Sequence, residues 1–102
     1  MEVIGKKVII RASRAGVFFG TLKEKRETLA GVEVTLEDSR RLWYWAGAAS
    51  LSQLATEGTK NPSQCKFTVT VKEHMVMQVI EIIPCTDEAI KSIESVRVWR
   101  NS

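Results

Sequence analysis

The segment Arg40-Arg41-Leu42-Trp43-Tyr44-Trp45 is where side-chain types and spacing first suggest chemistry. If the segment is extended, Leu42 and Tyr44 share one face and Arg41, Trp43 and Trp45 the other. Two outward indoles beside Arg40 and Arg41 would form a platform for stacking a planar ligand and holding a phosphate, or the anchor of a protein interface. The same rings could instead cover one end of the core. A second candidate surface is basic. Between Lys6 and Arg26 there are seven Lys or Arg residues and one acid, Glu24. Of these, Lys7, Arg11, Arg14, Lys23, Lys25 and Arg26 are the candidate phosphate contacts, and ordinary solubilising surface is the competing reading. Salt-dependent binding is the signature that separates the two.

Catalytic material is sparse. His74 is the one histidine and lies in a polar stretch, where exposure without a role is expected. Cys65 and His74 would make a nucleophile and base only if the fold brought them within hydrogen-bonding reach. Cys65, His74 and Cys85 lack structural-zinc spacing, and Glu33, Glu37 and Asp38 form no recognisable acid-base pair or magnesium cage. No phosphate-binding glycine loop, dinucleotide fingerprint or serine elbow occurs. The sequence therefore predicts no enzyme, no catalytic residue, no metal and no cofactor.

The chain has 102 residues, of which 44% are hydrophobic and 26% charged, a composition that folds and that suits one domain spanning 1-102. Its 15 Lys and Arg against 12 Asp and Glu leave a net charge of +3, compatible with nucleic acid binding without requiring it. The longest apolar stretch, Leu42 to Leu51, is too short for a membrane helix. The amino-terminal residues do not read as a secretory signal, so the expectation is a cytoplasmic protein with Cys65 and Cys85 as free thiols.

The elements that would position these residues are mostly short strands. Lys7 to Arg11 and Gly16 to Glu24 alternate, with a turn at Ala12 to Ala15. Gly20 marks a sharp bend or a close approach to another backbone. A turn at Lys25 to Ala30 precedes the alternating strand Val32 to Glu37, and Asp38-Ser39 reads as a further turn before Arg41 to Trp45. Ser50 with Gln53 forms a capping-box pattern, Leu51, Leu54 and Ala55 make an apolar stripe, and Gly58 ends the helix. Lys66 to Lys72 should be a strand with Phe67, Val69 and Val71 inward. A turn at Lys72 to His74 then leads to the strand Val76 to Ile83, ended by Pro84. Thr86 caps a last short helix docked by Ile90 and Ile93, and Val96 to Trp99 is a final extended segment or a packed tail. Short strands, tight turns and no βαβ alternation predict a mainly β fold. The expected form is a strongly bent small barrel of five to six strands, with one short helix before the closing strands and another near the carboxyl end.

Two resemblances add to this reading. The run Val8 to Leu36, with Gly16, Gly20, Leu22, Gly31 and then Asp38, resembles the first half of an SH3-like or Sm-like barrel, and Val79 to Ile83 resembles its last strand. Sm-like relatives form rings by strand-edge pairing and many bind RNA, which the resemblance implies without assigning a binding residue here. The segment from Ala46 to Gln64 and the lack of a leading helix depart from that pattern. Separately, Gly16 to Gly20, Arg40 to Ala55 (RRLWYWAGAASLSQLA), Pro62 to Phe67 and Glu81 to Thr86 resemble a family of small uncharacterised bacteriophage and prophage proteins. That implies a bacterial host cytoplasm and accessory roles such as antagonism of host defence, nucleic acid handling or virion assembly. The expected function is a non-enzymatic accessory protein that forms a homo-oligomer and binds a host or phage macromolecule. An RNA- or DNA-binding protein and an anti-defence protein sequestering a nucleotide signal are the alternatives. β-rich stretches at Lys66 to Lys72 and Val76 to Ile83, with Met75 and Met77 beside them, are the candidate self-association edges.

Overall fold

A computed structural model describes residues 3–101. Five antiparallel strands and two short helices follow one another as β1 (Lys7–Ala12), β2 (Gly16–Thr28), β3 (Gly31–Tyr44), α1 (Leu51–Glu57), β4 (Lys66–Phe67), β5 (Val71–Pro84) and α2 (Asp87–Ser95). A 3-10 turn, Pro62–Gln64, precedes β4. β1 lies between β2 and β5, and β3 pairs with both β2 and β5, so the four long strands return on themselves in a barrel-like sheet. β4 is a two-residue addition to the far end of β3.

Alternation along the strands divides the apolar residues into two layers. Val8, Ile10, Phe18, Leu22, Val34, Leu36, Val76 and Val79 fill the interior of the sheet. Ile9 and Phe19, one residue out of phase, point outward and are covered by Leu54, Ala55 and Ile93 of the helices together with Leu42 and Phe67. β1 is thus buried on both faces, which is why it reads Val-Ile-Ile without a polar residue between. Each fully buried Ile, Leu or Phe in these layers contributes about 1.5–3 kcal/mol.

Both helices start, and α1 stops, as the sequence predicts. The Ser50 side chain accepts from the Gln53 N–H, and the Gln53 side chain accepts from the Ala49 N–H, closing the capping box one residue early. Gly58 ends α1 at φ 77°. Thr86 caps α2 by accepting from the Ala89 N–H, and its hydroxyl donates to the Thr56 carbonyl, tying the two helices together.

Several expected turns are absent because strands run through them. β2 continues to Thr28, and the connection to β3 narrows to Leu29-Ala30. Asp38-Ser39 is a bulge inside an unbroken β3. Between the pairs Phe19↔Arg40 and Thr21↔Glu37, the single residue Gly20 faces both of them, with Asp38 at φ 52°. A Cβ on Gly20 would lie 3.0 Å from the Glu37 carbonyl oxygen and 3.2 Å from Ser39 Cα, so glycine is what permits the approach.

The closing strands differ more. β5 starts at Val71 and contains Lys72 to His74, so there is no turn there. The expected strand Lys66 to Lys72 stops after Phe67, leaving Val69 and Val71 exposed instead of inward. Its ladder ends because the Phe67 and Thr68 carbonyls accept from the Arg40 guanidinium, and Phe67 also accepts from the Trp99 N–H. Val98 bridges Phe67 in parallel, so the carboxyl-terminal segment is both extended and packed.

Candidate functional site

The end of β3 sets the aromatic surface. Leu42 pairs with Phe67 and Tyr44 with Lys66, which leaves Trp43 as an extra residue opposite no partner. This bulge breaks the expected alternation. Trp43 and Tyr44 both face solvent, whereas Trp45 turns back and packs against the layer beneath the helices. Of the two readings of the indoles, Trp45 thus takes the covering one and not the outward platform, and Tyr44, expected on the face opposite the indoles, is also at the surface. Trp43 stacks on Trp99, ring centroids 5.2 Å apart and planes inclined by 25°. Lys66 Nζ lies 5.3 Å from the Trp43 centroid and 5.5 Å from that of Trp99, within cation–π range of both. Trp99 was not among the candidate residues, because only the Phe67–Val98 bridge brings it beside Trp43.

Arg40 is a second correction. It is 6% exposed, and its guanidinium donates to the carbonyls of Thr68 (3.0 Å), Ile93 (3.0 Å), Phe67 (3.2 Å) and Arg97 (3.5 Å). Burial lowers its pKa, yet a guanidinium stays charged at neutral pH. Its role is to join β4, the end of α2 and the final segment. Arg41 sits on the opposite face of the strand. Its guanidinium lies 4.5 Å from the Phe18 ring centroid and donates to the Ala15 carbonyl. His74 is close by and is not the idle surface residue expected. It meets Phe18 edge-on at 5.0 Å, and its Nδ1 is 3.3 Å from Ser39 Oγ. Burial, and then the nearby Arg41 charge, lower its pKa, so it is neutral at physiological pH.

The basic hairpin does not form a single cationic strip. Lys7 pairs with Glu94 of α2, Arg11 with Glu81 of β5, Lys23 with Glu73 of β5, and Arg26 with Glu33 and Glu24. The Lys23–Glu73 hydrogen bond raises the lysine pKa and lowers that of the glutamate, as expected of a formed pair. Arg14 and Lys25 make no ion pair with a described residue. Four of the six candidate phosphate contacts are thus paired with carboxylates from β2, β3, β5 and α2, which weakens the field a polyanion would sense.

Among the described residues, no three His, Cys, Asp or Glu side chains are grouped to hold a metal ion. Cys65 and Cys85 are free thiols. Cys65 lies under the helices, its Sγ 3.5 Å from Thr59 Oγ1, and belongs to a different layer from His74. Burial pushes the Cys85 thiol up to about 12, leaving it protonated and unreactive. A shallow groove of about 420 Å³ runs between the β1–β2 and β2–β3 connections, lined by Arg14, Ala15, Val32, Met75, Met77 and Gln78 among others. No helix among the described residues is long and apolar enough to cross a membrane.

No curated protein and no solved structure matches the chain. A family match covers the whole barrel-like sheet, α1 and α2 as far as Ile93; it includes Trp43 and Lys66 and stops short of Trp99. With residues 5–93 matched, the chain belongs to the family described as Domain of unknown function (DUF6948).

Proposed function

We propose that this protein is a non-enzymatic accessory module that binds a macromolecular partner through the Trp43–Lys66–Trp99 face and self-associates through β5. The observation that carries the reading is the exposed indole pair. Trp43 and Trp99 are 59% and 44% exposed, yet they are held in a fixed stack outside both apolar layers. A chain that needed these rings for stability would bury them; a bulge that aims one of them at solvent is a feature of binding surfaces. Self-association is supported by β5, which pairs with β3 alone over Val71 to Val76 and carries exposed Met75, Met77 and Ile80. The resemblance of the Arg40 to Ala55 block to phage and prophage proteins supports a bacterial cytoplasm as the setting of this activity.

Two measurements test the reading. Replacing both indoles (Trp43→Ala with Trp99→Ala) should lower unfolding free energy by no more than about 1.5 kcal/mol, the value of an aromatic pair. A loss of about 3 kcal/mol or more, as for core aromatics, would make the face structural. Light scattering during size separation should give an oligomer for the wild type, a monomer for Met75→Glu with Met77→Glu, and an unchanged oligomer for the double Trp variant. A wild-type monomer throughout the micromolar range would overturn self-association.

A further inference from the structure

We infer that the macromolecule taken by the Trp43–Lys66–Trp99 face is a single-stranded nucleic acid, whose unpaired bases extend the indole stack while its phosphates meet Lys66, Arg97 and Arg100. This rests on the reading that the face is a binding face and names what it binds.

The argument begins with ring geometry. Two indoles inclined by 25° with centroids 5.2 Å apart form an offset stack, the arrangement in which planar aromatic systems continue on one another. Each ring uses one face on its neighbour, and their exposure leaves further ring surface open to solvent. A nucleobase offers a π-face of matching size, and stacking of this kind accepts any base. An aliphatic or acidic peptide offers no such surface, so it would use the charges and leave the rings poorly matched.

Charge supplies the second part. Lys66 stands beside both rings, and Arg97 and Arg100 flank Trp99 two residues before and one residue after it. None of the three is ion-paired with a described residue, in contrast to Lys7, Arg11, Lys23 and Arg26 on the first hairpin. An uncompensated cation beside an aromatic stack, with two more exposed cations close to Trp99 in sequence, suits an anionic, aromatic ligand, and a nucleic acid strand repeats both properties at each nucleotide. Duplex DNA keeps its base faces stacked internally and leaves none free for an indole, so the indoles select single strands.

The third part is preorganisation. Trp99 is fixed by its N–H donating to the Phe67 carbonyl at 2.9 Å and by the Phe67–Val98 bridge. Trp43 is fixed by the bulge between Leu42 and Tyr44. The platform therefore exists before the ligand arrives, which reduces the ordering needed on binding.

The test uses the full chain with fluorescently labelled oligothymidylate and oligouridylate, a duplex of equal length, and polyglutamate as the acidic polypeptide. Single strands should bind at low salt, quench indole fluorescence and outcompete both duplex and polyglutamate. Trp43→Ala or Trp99→Ala should weaken binding about 5- to 150-fold by fluorescence anisotropy, the range for losing one stacked base. Lys66→Gln and Arg100→Gln alter exposed side chains and should each flatten the slope of log affinity against log salt by about 0.7. Absence of single-strand binding at low salt, or binding that the Trp and Lys66 variants leave unchanged, overturns the inference. Trp-dependent binding of polyglutamate in preference to the oligonucleotides also overturns it, while leaving the binding face intact. Acrylamide quenching of the free protein separates the remaining case: indoles closed to the quencher would mean that the face is covered in solution, and the parent reading would fail too.

Discussion

Replacing Arg40 with Met tests whether the one buried charged residue among the described residues is structural or a ligand-binding group. The substitution keeps most of the aliphatic stem and removes the guanidinium. Four carbonyls lose a donor, those of Thr68, Ile93, Phe67 and, at the longest distance, Arg97. The loss is not four full hydrogen bonds. The Ile93 carbonyl still accepts from the Val96 N–H and that of Phe67 from the Trp99 N–H, so those two remain partly satisfied. Three short bonds from a charged donor, at about 1.5 kcal/mol each, are offset in part by no longer burying a charge. The net destabilisation should be about 2–4 kcal/mol, or a fall in melting temperature of about 10–30 °C for a chain of this size. Urea unfolding followed by circular dichroism reads it directly. Arg40→Lys should rescue little, because a compact ammonium does not span the carbonyls that the planar guanidinium reaches. Near-ultraviolet circular dichroism provides a second readout, since loosening the final segment should unseat Trp99 from Trp43 below the main transition. A change within about 0.5 kcal/mol, the usual range for a surface substitution, would refute the structural role.

Three further outcomes follow from buried or constrained groups. His74 has a lowered pKa in the folded chain, so between its ordinary value near 6.5 and that lower value the unfolded chain binds more protons. Stability should be complete above the ordinary value and fall as pH drops through that window, and His74→Gln should flatten this part of a melting-temperature profile. Cys65 is buried and the Cys85 thiol is held at about 12, so a colorimetric thiol reagent at mildly alkaline pH should react slowly with the native chain and rapidly with both thiols in denaturant; fast reaction of either native thiol would contradict the burial. Gly58→Ala should cost more than about 2 kcal/mol in thermal unfolding, because φ is 77° and a Cβ would stand 2.3 Å from Ser92 Cβ at the α1–α2 contact.

What the sequence revealed was what local spacing controls. The Ser50–Gln53 box, the Thr86 cap and the Gly58 stop act within one turn of chain, and each appears in the structure. The interior faces of β1 and β2 were equally legible because alternation there is unbroken through Ile10 and Phe18. Arg40 was misjudged because a charged residue reads as exposed, and the carbonyls that bury it lie far along the chain in β4, α2 and the final segment. The pairing of the basic hairpin was illegible for a related reason: its carboxylate partners arrive mostly from β3, β5 and α2. Charge density along a chain and charge density on a surface are different quantities.

The breaks in strand alternation are also where side chains are redirected. Four long strands can close around so small an interior only by bending, and bulges provide bends at Asp38 and Gln78; a third bulge, at Trp43, lies outside the closed sheet where β4 joins β3. Each bulge sets two residues against one partner or none, so an apolar side chain that alternation would assign inward or outward is reassigned. At Asp38 the residue is polar and the bend has no apolar consequence. Beside Gln78 it leaves Met77 exposed along the groove, and at Trp43 it presents an indole to solvent where Trp99 and Lys66 meet it. A bulge within the closed sheet thus exposes Met77, and the same kind of irregularity at the β3–β4 junction exposes Trp43 and breaks the alternation that would put Tyr44 and Trp45 on opposite faces. A Trp-bearing bulge at the end of β3 is therefore the most economical link between how this chain folds and what its surface can hold.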